Sequence, residues 1–508
     1  MNKLQTLGEL KKSGYQPKTI KEELRQNLIA RLRNKETTFP GIVGYEDSVI
    51  PDVERAILSK HNILFLGLRG QAKTRMARLM TELLDEYIPA VAGSEINDDP
   101  LKPVSKYAID EIAVHGDETP IHWIHRSERY GEKLATPDVS VADLIGDIDP
   151  IKAANLKLNF ADERVIHYGI IPRCNRGIFV INELPDLQAR IQVALFNILE
   201  EGDVQIRGFK LRLPLDILFI FTANPEDYTN RGAIVTPLKD RIESQILTHY
   251  PKSLENALEI TEQEAVVAEE QKTKVKVSDL VKRLIEQVAF EARSSELVDK
   301  KSGVSARLTI SAFENAISAA ERRAIMNNEK ETQVWIADLA GIIPSITGKV
   351  ELVYEGEQEG PYQVAMNLVE KAIRSQFVQY FPNPEVLKKR RTTVKPPQQE
   401  KEEENPYRSL INWFDKGNNL NISFNTADKD KIVLLNKVDG LHALVKKYFP
   451  RVSEPQAALL MEFILHGLAS HSLISKKIFE NKIEFKDLIG SMMNLGTPGY
   501  EEEFDEEA

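Results

Sequence analysis

One cysteine, Cys174, in 508 residues leaves no intrachain disulfide framework and no cysteine-cluster metal site. No apolar run approaches the ~18–20 residues of a transmembrane helix, and the first residues lack the apolar stretch of a secretory signal. No membrane span is expected, and the expected compartment is the cytoplasm. Positive charge is also short: 66 Lys and Arg stand against 77 Asp and Glu, a net charge of −11. A nucleic-acid binder needs basic surface to displace counterions from phosphates, so no nucleic-acid partner is expected. The densest basic run, Lys388-Lys389-Arg390-Arg391, lies in a Pro- and Glu-rich stretch and reads as solvated linker. There is no internal repeat. Hydrophobic residues make up 42% of the chain, enough for real cores, and its length predicts two or three folding units.

The most informative stretch is Gly67-Leu68-Arg69-Gly70-Gln71-Ala72-Lys73-Thr74, directly after the apolar run Ile63-Leu64-Phe65-Leu66. A buried strand delivers the backbone to a sharp turn, and a helix follows through Arg75 and Met76. Loop amides and the helix N-terminus there suit an anion. Lys73 can reach the β/γ-phosphates and Thr74 can hold Mg²⁺. Ala72 stands where the standard pattern has its second glycine.

Two more apolar strands end in polar residues. Gly177-Ile178-Phe179-Val180-Ile181 runs into Asn182-Glu183, and Ile217 to Ala223 runs into Asn224-Pro225. Downstream come Leu238-Lys239-Asp240-Arg241-Ile242 and Gly303-Val304-Ser305-Ala306-Arg307. Each has a plain explanation as core strand or surface charge. Their joint order is far more specific.

That order resembles the AAA+ ATPases of the magnesium chelatase ATPase-subunit and MoxR group. Further matches are Phe39 to Gly44, the stretch from Leu134 to Asp147, and Leu187 to Gly202 with Val204-Gln205-Ile206-Arg207. The resemblance covers about Thr38 to Ser375 and implies an α/β fold: a three-layer αβα P-loop core with a helical lid. By motif position, Ile42 and Val43 touch the adenine. Gly67 to Arg75 (Gly67, Leu68, Arg69, Gly70, Gln71, Ala72, Lys73, Thr74 and Arg75) bind the nucleotide. Thr74 and Asn182 hold Mg²⁺, and Glu183 polarises the attacking water. Asn224 is the sensor 1 residue, Arg241 the arginine finger given to a neighbouring subunit, and Arg307 the sensor 2 residue. Arginine suits the last two roles because its planar fork stays ionised and binds phosphate oxygens bidentately.

Asn182 departs from the family's usual aspartate. The missing charge predicts weaker Mg²⁺ binding and slow turnover, and restoring a carboxylate at 182 is expected to strengthen both. Ala72 adds a methyl group where the backbone approaches phosphate. His115, His122 and His125 cluster near Glu118, but residues three apart on an extended segment face opposite ways and no cysteine completes a metal set. Cys174 has basic neighbours yet reads as a small packed residue, and Trp335 and Trp413 read as core. The segment Val204 to Leu213 reads as a hairpin with a basic tip that either packs on the core or meets a partner.

The expected organisation is a helical extension over 1–37, with Ile20, Leu24, Leu28 and Leu32 on one face. The ATPase core follows over 38–250, a helical lid over 251–378 and a flexible linker over 379–406. An α-rich accessory domain spans 407–495 and an acidic tail 496–508. The leading functional expectation is an ATP- and Mg²⁺-dependent ATPase that forms homo-oligomeric rings, hexamers by resemblance. It would remodel a protein client, a von Willebrand factor A-domain partner being the group's pattern. The alternative is a nucleotide-gated binding module with little turnover. Literal metal insertion into a porphyrin follows only from the family name.

Overall fold

Five short strands form one sheet, and two of them, rich in β-branched and aromatic side chains, are buried at every position, as a parallel sheet covered on both faces requires. In the computed structural model they are β1 (Ile63–Leu66), β2 (Tyr130–Leu134), β3 (Gly177–Asn182), β4 (Ile217–Ala223) and β5 (Ser244–Leu247). Their order is β5-β1-β4-β3-β2, parallel throughout. The structure describes residues 4–159, 162–206, 212–225, 232–385, 405–479 and 481–488. It divides into two units, Met1–Tyr250 and Pro251–Ala508.

Strand alternation separates two cores in the first unit. Leu64, Phe179, Ile181, Phe219 and Phe221 face one side, and Ile63, Phe65, Ile178, Val180 and Ile220 face the other. The crossover order sets β1 beside β4 and β4 beside β3, so the carboxyl ends of these strands lie together. Ligands of open α/β sheets bind outside such ends.

The helix α1 (Ile20–Asn34), which follows a short helix at Leu7–Lys12, begins at a capping box of Thr19 and Glu22. It buries Ile20, Leu24 and Leu28 in the same core as β1, whereas Leu32, expected on that face, is 39% exposed. Glu23 of α1 is buried and forms a bidentate pair with Arg129, at 2.6 and 2.7 Å, just before β2. The Ile20 N–H donates to Asp216 before β4. The helical segment expected over 1–37 thus packs on the core that supports the sheet.

Helix α2 (Lys73–Leu79) follows β1 in the first unit. The second unit is mostly helical, with α3 (Asp279–Ser294), α4 (Arg307–Met326), α5 (Pro361–Tyr380) and α6 (Glu454–Ser470) its longest elements among the described residues. Leu280, Leu284, Val288 and Ala292 form the expected buried stripe of α3. A three-stranded antiparallel sheet, Leu420–Ser423, Lys482–Lys486 and Ser475–Phe479, adds β structure to the region expected as α-rich. One hydrophobic core runs from Val275 to Phe485. It joins the expected lid to the expected accessory domain: the Phe377 ring of α5 lies 5.6 Å from the Phe463 ring of α6. Arg323, which continues the Phe313, Ala316, Ala320 stripe, is buried too. It is held by Asp338 and Asp428, one partner from each expected domain. A buried guanidinium needs such partners, so the stripe ends in a charge network. Most of the expected linker (386–404), the acidic tail and the hairpin tip at 207–211 lie outside the described residues.

Candidate functional site

Gly67 leaves β1 with no room for a side chain: a Cβ there would collide with Thr248 and Gln71, which bond each other at 2.6 Å. Gly70 and Ala72 both take positive φ, at 71° and 55°. The left-handed region costs an alanine roughly 1–2 kcal/mol that a glycine does not incur. The turn then feeds α2, whose first residues are Lys73 and Thr74. The outer side of the loop is tied down by the Tyr45 hydroxyl, whose single proton is shared between the carbonyls of Gln71 and His249, and by Tyr250, which donates to the Arg69 carbonyl. Ile42 is buried and Val43 half-buried in the segment that carries Tyr45.

The strand ends meet at Lys73 and Thr74. Lys73 Nζ donates to the carbonyls of Gly67 and Leu68 and, at 2.7 Å, to Asn224 Oδ1 after β4. Thr74 Oγ1 donates to Asn182 Oδ1 at 3.1 Å, and Thr222 of β4 donates to the same oxygen at 3.1 Å. Asn182 Nδ2 donates to Glu132 Oε1 of β2 at 2.7 Å. Glu132 also receives Arg78 of α2 and the Tyr130 hydroxyl. Burial opposes ionisation of Glu132, but the Arg78 and Tyr130 bonds outweigh it and hold its carboxyl below the ordinary range. Glu183 sits at φ 56° with its N–H on Thr222 Oγ1. A non-glycine residue in that region at a strand end is a locally strained position.

Lys73, Thr74, Asn182 and Asn224, which the sequence nominates separately, therefore come together as two hydrogen-bonded pairs, Lys73 with Asn224 and Thr74 with Asn182, set side by side on consecutive residues, with Glu183 adjoining them. Mg²⁺ prefers oxygen donors, and Thr74 Oγ1 with Asn182 Oδ1 supplies two neighbouring ones, so the side chains present fit it. Arg241 is engaged elsewhere. Its guanidinium bonds Glu200 at 2.5 and 2.8 Å and the Pro237 carbonyl, and lies 5.0 Å from the Phe196 ring centroid. Arg307 is exposed in the first turn of α4, in the second unit.

Sequence reasoning missed Glu132, Thr222 and Tyr45. Glu132 stands beside Lys133 in the mixed segment Tyr130–Leu134, and nothing in one dimension sets it beside Asn182. The other nominations are plain. Burial pushes the Cys174 thiol up to about 12, as for a packed residue rather than a reactive one. Trp335 is fully buried, His115 lies against Glu111, and His125 faces Ser127.

No protein-family model matches the chain. It is similar to the magnesium-chelatase 38 kDa subunit of Cereibacter sphaeroides, 24% identical over 229 residues, covering 44% of this chain and 61% of that protein. The subunit of the same name from Rhodobacter capsulatus is 25% identical over 227 residues, covering 44% and 59%. The chain thus spans about three fifths of the length of these relatives. Among solved structures, a cryo-electron-microscopy complex of the BchI and BchD subunits of magnesium chelatase covers 63% of this chain and 98% of its own, at 20% identity and a TM-score of 0.32. The two sequence matches, together with the phosphate loop and the polar strand ends, support the resemblance of the first unit to the AAA+ ATPases of the magnesium chelatase ATPase-subunit and MoxR group.

Proposed function

We propose that this chain binds ATP at the loop between β1 and α2, hydrolyses it slowly, and uses the cycle in a homo-oligomeric ring to remodel a partner protein. The observation that carries this reading is the pairing of Lys73 with Asn224 and of Thr74 with Asn182 at the ends of three neighbouring strands. In a loose phosphoryl-transfer transition state the protein mainly positions groups and neutralises charge. Lys73 exchanges its loop carbonyls for phosphate oxygens. Thr74 and Asn182 would hold Mg²⁺, which would supply positive charge against the phosphates. Glu183 polarises the attacking water and Asn224 orients it. Arg241 of a neighbouring subunit meets charge on the γ-phosphoryl group, and Arg307 takes the sensor 2 role that the resemblance implies. The resemblance to the magnesium chelatase ATPase-subunit and MoxR group brings a partner with a von Willebrand factor A domain, whose bound metal is completed by an acidic group of its ligand, into the proposal. Six subunits per ring follow from the same resemblance.

Asn182 favours a second reading, a nucleotide-gated binding module with incidental turnover. Turnover per subunit measured against protein concentration, alongside sedimentation with and without ATP, separates the two. Turnover that rises as rings assemble is expected, and ATP binding without measurable hydrolysis at any concentration overturns the motor in favour of the switch. Affinity capture with Glu183→Gln held in ATP then identifies the partner, and recovery of a protein bearing a metal-binding A domain is the expected outcome.

A further inference from the structure

Asn182 stands where the resemblance places an aspartate, and a carboxylate lies one strand away. β2 pairs with β3 so that Leu134 is opposite Asn182 and Glu132 opposite Val180. From there Glu132 Oε1 accepts the Asn182 amide at 2.7 Å. The amide's orientation follows. With Nδ2 on a carboxylate, Oδ1 is turned to the hydroxyls of Thr74 and Thr222, both at 3.1 Å. The reverse orientation would set a carbonyl oxygen against the carboxylate and present N–H groups to Thr74 and to any cation beside it. Arg78 and Tyr130 bond the same carboxylate and fix it in place. Arg78 is 64% exposed, and an ion pair at such a position contributes little to stability, so packing alone does not account for Glu132.

We propose that Glu132 is a positioning residue of the metal site: it locks Asn182 with its carbonyl toward Thr74 and supplies, one hydrogen bond behind that oxygen, the negative charge absent from position 182. The charge of the site has been moved from the end of β3 to the neighbouring strand. This rests on the reading of Thr74 and Asn182 as the Mg²⁺ side of the nucleotide. It also reverses the expectation drawn from the sequence. Asn182→Asp alone sets two carboxylates at hydrogen-bonding distance, and their repulsion disfavours the arrangement.

The test uses full-length Glu132→Gln, Asn182→Asp and the double variant, with ATP affinity measured by calorimetry in the presence of Mg²⁺ and in a chelator. Loss of a residue that orients a metal ligand typically weakens metal binding 10–100-fold. The Mg²⁺-dependent gain in ATP affinity should accordingly fall about tenfold or more in Glu132→Gln. It should also fall in Asn182→Asp, and return in the double variant, where the amide introduced on β2 donates to the carboxylate introduced on β3. Affinity in chelator should stay level throughout. A wild-type gain that survives in Glu132→Gln, or a gain raised by Asn182→Asp alone, overturns the proposal while leaving the metal reading intact. No Mg²⁺-dependent gain in the wild type overturns both. Should Glu132→Gln melt early without nucleotide, Glu132→Asp, which keeps the charge but withdraws it by one methylene, has to lose the gain in its place. A gain it retains counts against the lock.

Discussion

Lys73 Nζ and Asn224 Oδ1 lie 2.7 Å apart, joining the phosphate loop after β1 to the end of β4 across two paired strands. A lysine that bonds carbonyls and an amide in this way is already aimed into the loop. Removing it deletes a charge-assisted phosphate contact worth ~1.5–3 kcal/mol. Lys73→Ala should therefore bind ATP about ten- to a hundredfold more weakly by calorimetry, and equal affinity refutes the site. Glu183→Gln should bind ATP normally and not hydrolyse it.

Ala72 occupies the left-handed region that a glycine enters without strain. Ala72→Gly should raise the thermal midpoint, in line with relief of about 1 kcal/mol. Thermal melts of the two proteins at matched concentration decide it. An unchanged or lower midpoint would show that the methyl group's packing outweighs the strain.

Arg241 is held by Glu200, Pro237 and Phe196. If a neighbouring subunit's nucleotide is its working partner, Arg241→Ala should bind ATP almost normally yet turn over about 10³-fold more slowly. Mixing Arg241→Ala with Glu183→Gln should restore part of the rate, because some junctions then carry one intact half from each variant. No recovery in the mixture, together with a rate independent of concentration, leaves Arg241 as the intramolecular partner of Glu200.

Glu286 of α3 is buried in the second unit, bonded to Thr261, and burial raises its carboxyl to about 7 against bonds from Thr261 and Thr309 that lower it. Its ordinary value is 4.5. Between those values the folded chain binds the proton that the unfolded chain has released, so this contribution to stability falls as pH rises from 4.5 to about 7. A shift of that size corresponds to about 3 kcal/mol at most. Glu286→Gln should flatten stability against pH across this window and gain relative to wild type near neutrality, as read from urea melts at several pH values. Parallel curves for the two proteins would assign the pH dependence to other groups.

Much of the core was legible because strand burial and phosphate binding are local properties. The apolar runs of β1, β3 and β4 and their polar ends announce themselves, as does the stripe of α3. The joined core of the second unit was not legible. Pro382 to Glu404 reads as a break in composition, and composition is silent on whether α6 returns to pack on α5. Leu32 follows the helical period of α1, but the surface that α1 covers ends before it.

The order of motifs, the residue types at the strand ends and the glycine-bearing turn were settled by the sequence, because each is a matter of spacing along one backbone. Which side chains answer one another was settled only by the fold. β2 had to lie beside β3 before Glu132 could hold Asn182, and Glu200 had to approach Arg241 before that guanidinium had a partner. Such pairs join residues 41 and 50 positions apart. Their contact depends on strand register and crossover, which act through three-dimensional packing and leave no periodic mark on the chain.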